Sequence, residues 1–302
     1  MDTSRIAEKA RYLKLSAFTL SEGMRTGAFR SCFRGSGMEF DGVREYEPGD
    51  DIRSIDWNVT ARTGNPFIKL YREERELTVF LVVDDSLSMI TGTAGVSRKE
   101  TALEACALLA FASEYNASPF GSVVFDGAVG RVFKPRTGRD HVLSLLSDLE
   151  QRKRIEKGSV LSAAISGASR VLRARALVVI VSDFRSAGYE KSLGILSRRH
   201  DVLAIRITSP SDSILPNTGY LSFRDPESGH QEEYPTGSPA FRSYWEREAQ
   251  ESITRWEYRC LRLGAFPLIM TTEDDPGAVL TQFFSGRRRS ASRNTTFLGD
   301  GV

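Results

Sequence analysis

From Leu77 onward, short β-branched runs alternate with segments whose apolar residues recur at helical spacing. LTVFLVV is followed by a helix predicted over roughly 98–116, with Ala102, Ala105, Cys106, Leu109 and Ala112 on one face, and then by GSVVFD. That strand-helix-strand order implies a parallel sheet. AVGRVFK, reached across a Gly-containing turn, reads as a hairpin edge strand, and Val142, Leu145, Leu146 and Leu149 mark the next helix. The alternation resumes with a helix near 159–172, the strand ALVVIV, a helix near 188–199, the strand VLAIRI, a long helix over about 238–258, the strand FPLIM and a last helix near 276–285. Residues 77–286 are therefore expected to form an α/β domain, a doubly wound, mostly parallel sheet flanked by helices.

Three segments break this pattern. Ile6, Ala10, Leu13 and Ala17 predict an amphipathic helix over residues 4–24. RGSGMEFDGVREYEPGDDIRSIDWNVTARTGNP, rich in Gly and Asp turn signals, predicts strands and tight loops with no helix, so residues 1–76 read as a helix plus a strand-rich collar. Residues 209–236, with GYLSFRD and HQEEY around ESG, read as a hairpin inserted after a strand. Residues 287–302 have little to bury and read as a disordered basic tail.

Composition narrows the function classes. A formal charge of +2, from 41 basic and 39 acidic side chains, gives no field that argues for nucleic acid or an anionic membrane. Cys32, Cys106 and Cys260 lack metal or redox spacing and read as free thiols of a reducing compartment. No signal-peptide core is visible, and no uncharged apolar run reaches the ~18–20 residues that cross a bilayer. The expected location is cytoplasmic.

Two strands of the α/β domain end in acid, VFLVVDDSLS and LVVIVSDF. Ligands of open parallel sheets bind beyond the strands' carboxyl ends, where the strand order reverses. If these two strands flank that point, Asp84, Ser86, Ser88 and Asp183 converge on one crevice, and a further hydroxyl, Ser159, lies in KGSVLSAAI. Few carboxylates with neutral hydroxyls suit a small hard cation, magnesium or manganese, that keeps several waters. Such an ion stays under-compensated and would draw a carboxylate from outside into an open position. Asp and Ser at a strand end also commonly do no more than bond the turn backbone.

At these residues the chain resembles the von Willebrand factor A domain, whose metal-ion-dependent adhesion site uses an Asp-x-Ser-x-Ser loop, a Thr in a second loop and an Asp in a third. The resemblance implies that Asp84, Ser86 and Ser88 form the first loop, that Ser159 stands for the Thr and that Asp183 supplies the third. The second loop departs from the usual Gly-Gly-Thr-Asp, reading Lys157-Gly158-Ser159-Val160. RGSGMEFDGVREYEPGDDIRSIDWNVTAR, FIKLYREERELTVFLVVDDSLSM, GSVVFDGAVGRVFKPRTGRDHVLSLL, VVIVSDF and FPLIMTTEDDPGAVLTQFF are closely similar to the bacterial family catalogued as domain of unknown function number fifty-eight, across most of residues 5–286. This resemblance implies a non-enzymatic adaptor that binds a protein partner and works with a MoxR-type AAA+ ATPase in assembling or activating a complex.

The charged run of Arg44, Glu45, Asp50, Asp51, Arg53, Asp56 and Arg62 reads as a salt-bridged collar around Trp57, which itself reads as a packing anchor. The main rival reading is a receiver-like phosphoacceptor domain, with Asp84 and Asp85 holding magnesium and Asp126 taking the phosphoryl group. It lacks the lysine expected later, since VLAIRI is followed by Thr208 and Ser209. A haloacid-dehalogenase-type phosphatase needs an aspartate where Ser86 stands, and a hydrolase triad finds no GxSxG. His141, His200 and His230 read as surface histidines.

Overall fold

The structure, a computed structural model, describes residues 16–24, 38–73, 77–93, 95–151, 158–224 and 230–293. After helix α1 (residues 16–24) come β1 (Met38–Glu45), α2 (Trp57–Thr63) and β2 (Phe67–Glu73). The α/β domain then runs β3 (Val79–Asp84), α3 (Arg98–Tyr115), β4 (Phe120–Phe125), β5 (Val129–Arg136), α4 (Arg139–Gln151), α5 (Leu161–Val171), β6 (Leu177–Ser182), α6 (Glu190–Arg199) and β7 (Asp201–Thr208). It closes with β8 (Leu221–Arg224), β9 (Gln231–Tyr234), α7 (Pro239–Arg262), β10 (Ala265–Thr271) and α8 (Pro276–Arg293).

Six strands form one sheet in the order β10-β7-β6-β3-β4-β5, parallel except for β5, which pairs antiparallel with β4 at the edge. This is the doubly wound, mostly parallel α/β class expected from the sequence. Every residue of β3, β4 and β6 is buried, because helices cover both faces, and a strand buried on both faces reads as a continuous apolar run. Alternation along β3 sorts the core. Val79, Leu81 and Val83 meet Leu20 of α1, Leu109 of α3, Leu145 of α4 and Leu280 of α8 in one cluster, while Phe80 and Val82 join Ile165 of α5, Leu193 of α6 and Trp256 of α7 in the other. Gly121 permits the β4–β5 pairing, since a Cβ there would stand 2.6 Å from the Phe133 carbonyl oxygen and 2.8 Å from the Pro135 nitrogen.

Several expectations need correction. The collar does contain a helix, α2: Asp56 accepts from the Asn58 and Val59 amides at its start, and Gly64, at φ 80°, ends it in the left-handed conformation. The Asp and Gly read as turn residues are its caps. Trp57 is 68% exposed and is no packing anchor. Within the collar Arg44 pairs with both oxygens of Asp50 at 2.7 and 2.8 Å, whereas Asp51 and Asp56 accept from backbone amides. α8 continues to Arg293, so residues 287–293 extend a helix, and 294–302 lie outside the described residues.

The inserted hairpin is present as β8 and β9, with its ESG tip outside the described residues. Of the histidines, only His230 is exposed; His200 is buried, and His141 Nε2 lies 2.9 Å from the Phe120 carbonyl oxygen. Cys106 and Cys260 are buried free thiols that burial pushes up to about 12, while Cys32 lies outside the described residues. Among the described residues no helix is long and apolar enough to cross a membrane.

Candidate metal centre

β3 and β6 are adjacent and parallel, with Val83 opposite Val181. From β3 the chain crosses to β4 on one side, and from β6 to β7 on the other, so the strand order reverses between them. Asp84 ends β3 and Asp183 follows Ser182, the last residue of β6. Both acids are buried, as are Ser86 and Ser88.

Hydrogen bonds hold Asp84 at both oxygens. The Ser182 hydroxyl donates to Oδ2 at 2.6 Å and the Ser86 amide donates to Oδ1 at 2.9 Å. The hydroxyls of Ser86 and Ser88 lie 3.1 Å apart. Burial first, and then the charge of Asp183, push the Asp84 carboxyl up to about 6, against the lowering effect of the Ser182 and Ser86 hydrogen bonds. Among the described residues no lysine or arginine pairs with Asp84. The two basic side chains at hand go to its neighbours: Lys99 Nζ is 2.7 Å from Asp85 Oδ1, and Arg185 Nε is 3.6 Å from Asp183 Oδ2.

The loops are held by packing and by backbone bonds. Phe184 adopts φ 53°, a left-handed conformation that a bulky residue keeps only when its surroundings hold it. Its buried ring packs on Tyr189 and Trp256, with centroids 5.5 and 5.0 Å away. Gly158, at φ 101°, allows the turn into Ser159, and the Val160 amide donates to the Asp126 carbonyl at 2.9 Å. Ser159 therefore stands in the loop before α5, not on the helix, beside the end of β4 and one strand from Asp84. Lys157 lies outside the described residues.

The donors suit a small hard cation. Ser159 Oγ is buried without a hydrogen-bond partner, a condition that costs free energy unless another ligand meets it, and Asp183 Oδ2 has no hydrogen bond beyond its 3.6 Å ion pair with Arg185. Among the described residues no group of three or more His, Cys, Asp or Glu side chains has the arrangement of a metal site, so a site here depends on hydroxyls. Asp126, central to the receiver reading, is fully buried and accepts from the Ala128 amide at 2.9 Å across its own turn.

No spacing or motif in the sequence points to Ser182, Arg98, Arg185 or Asp212 as a group. Ser182 is adjacent to Asp183 in VVIVSDF and could have been noticed as a hydroxyl at a buried strand end. Arg98 carried a signal of another kind, a cation at the very start of a helix.

A family model described as "Protein of unknown function DUF58" matches residues 42–255. The chain belongs to the DUF58 family. Relatives of this DUF58 protein include an uncharacterized protein of Mycobacterium tuberculosis, 33% identical over 297 residues that cover 96% of this chain and 92% of the relative. Another, from Mycobacterium avium, is 30% identical over 161 residues, 52% of this chain and 94% of the relative. Among solved structures, an aerotolerance-related membrane protein from Bacteroides fragilis is 18% identical with a TM-score of 0.47, covering 71% of this chain and 99% of that one. A von Willebrand factor type A protein from Catenulispora acidiphila is 12% identical with a TM-score of 0.38, covering 74% of this chain and 43% of that one.

Proposed function

We propose that this DUF58 protein is a non-enzymatic adaptor or co-chaperone that docks a protein partner through magnesium or manganese held by Asp84, Ser86, Ser88, Ser159 and Asp183, working with a MoxR-type AAA+ ATPase. The observation that carries the docking reading is the burial of two carboxylates at the ends of adjacent strands, with the Ser86 and Ser88 hydroxyls in the loop after Asp84 and Asp84 pushed up to about 6. In this reading Ser86, Ser88 and Ser159 supply neutral oxygens, and Asp84 and Asp183 act largely through waters. A bound divalent cation supplies an open position for an incoming carboxylate. Ser182 and the Ser86 amide keep the Asp84 carboxylate oriented for that task. The ATPase partnership rests on the family resemblance alone.

Calorimetric titration of magnesium and manganese into the wild type and Asp84→Ala tests the site. Saturable binding that is lost in the variant and indifferent to a phosphoryl analogue is expected; no binding by the wild type would overturn the docking reading. Co-purification of a MoxR-type ATPase, with magnesium or with EDTA, tests the partnership, and capture equal in wild type and Asp84→Ala would separate that partnership from the metal.

A further inference from the structure

Asp212 sits in a single turn of 3-10 helix (Pro210–Asp212) just after β7, at the root of the inserted hairpin, and gathers contacts from four directions. Its Oδ1 accepts from Arg98 Nη2 and, at 2.7 Å, from Arg185 Nη2. Its Oδ2 accepts from the Ser209 amide at 2.9 Å, and its carbonyl accepts from Trp245 Nε1 at 2.9 Å. Trp245 in turn packs against Phe223 and Tyr234 of the hairpin, with ring centroids 6.1 and 5.3 Å away.

Both arginines lead back to the metal centre. Arg98 is 1% exposed and opens α3, where the helix dipole opposes a cation, so its charge brings no stability to the helix itself. Its Nη1 donates to the Ser88 carbonyl at 3.0 Å and so holds the loop that carries Ser86 and Ser88. Arg185, half-exposed, stands between two acids, hydrogen-bonded to Asp212 and 3.6 Å by its Nε from Asp183 Oδ2.

We infer that Asp212 is a positioning residue for this centre: it takes the short hydrogen bond of the Arg185 guanidinium, so that Asp183 keeps only a 3.6 Å ion pair that a divalent cation can displace, and it anchors Arg98 beneath the Ser88 loop. The inference rests on the metal reading above. An asparagine at 212 has a single acceptor oxygen, which cannot serve the Ser209 amide and the two arginines together, and its amide group repels the guanidinium groups. Arg185 is then free to close on Asp183 and compete with the metal.

The test is calorimetric titration of magnesium and manganese into the wild type, Asp212→Asn, Arg185→Gln and the double variant, with thermal melting to confirm folding. Asp212→Asn should weaken binding on the order of tenfold, about the value of one charge-assisted hydrogen bond. Arg185→Gln should bind at least as tightly as wild type, and the double variant should bind more tightly than Asp212→Asn, recovering the part of the loss that Arg185 causes, which a merely structural defect at 212 would not allow. Wild-type affinity in Asp212→Asn, or a double variant as weak as Asp212→Asn, would overturn the inference while leaving the metal reading standing. Binding by Arg185→Gln where the wild type shows none would also overturn it, since Arg185 would then block Asp183 with Asp212 in place. Absence of binding in both would remove the metal reading and this inference together.

Discussion

Replacing Asp84 with asparagine should make the metal-free protein more stable. The carboxyl stands at about 6 in the folded chain against an ordinary 3.8, which costs the folded state about 3 kcal/mol at neutral pH. Asparagine removes that charge but carries one acceptor where the carboxylate has two. If its oxygen keeps the Ser86 amide, the Ser182 hydroxyl, which already accepts from the Phe184 amide at 2.9 Å, loses its acceptor, at a cost of about 1 kcal/mol. The net gain is about 2 kcal/mol, or about 4–8 °C in melting temperature for a domain of this size.

The sign with pH follows from the raised folded value. The stability that Asp84 contributes is fully present below pH 3.8 and is lost as pH rises through about 6, so the variant's advantage should vanish near pH 4 and be complete by pH 7.5. Magnesium should reverse it, since a ligand at 100 times its Kd adds about 2.7 kcal/mol to the wild type and nothing to a variant that cannot bind. Thermal melts of both proteins in EDTA and in magnesium, at pH 4.5 and 7.5, read all four terms. A variant that melts below the wild type in EDTA at pH 7.5 would refute the claim that a buried, uncompensated carboxylate stands here.

Two further measurements probe the scaffold. Gly121→Ala should destabilise the domain by about 1–3 kcal/mol through overpacking against the β5 backbone, visible as a lower urea midpoint; an unchanged midpoint would show that β5 yields at no cost. His200 is held below its ordinary 6.5 chiefly by burial, with Arg199 adding to the effect, so its contribution to stability is present above pH 6.5 and is lost as pH falls through the lower folded value. His200→Gln should therefore show a shallower loss of stability between pH 7 and 5 than the wild type, and parallel curves would discard His200 as the cause.

The parts of the fold legible in the sequence were those whose signal is local. Continuous runs such as LTVFLVV and ALVVIV announce strands buried on both faces, and the spacing of Val142, Leu145 and Leu149 announces a helix with one buried face. The two strand-end acids were legible for the same reason, because the runs stop on them. The α2 helix was hidden because Asp56 and Gly64 serve equally well as turn residues, and only the hydrogen bonds from Asn58 and Val59 show that they are caps. Asp212 was hidden by distance: it meets Arg98 across 114 residues of sequence, and no periodicity encodes that pairing.

The electrostatics of the crevice bring these strands of argument together. Lys99 stands against Asp85 and Arg185 against Asp183, while Asp84, the most central of the three, sits between strands buried on both faces with hydroxyl and amide donors only. A strained Phe184 and a buried Ser159 hydroxyl without a hydrogen-bond partner add to the cost of that arrangement. A sequence selected for stability alone would replace Asp84 with a neutral residue, as the Asp84→Asn prediction makes explicit. A bound cation would remove that penalty, and the strand order reverses between β3 and β6, where open parallel sheets commonly bind their ligands.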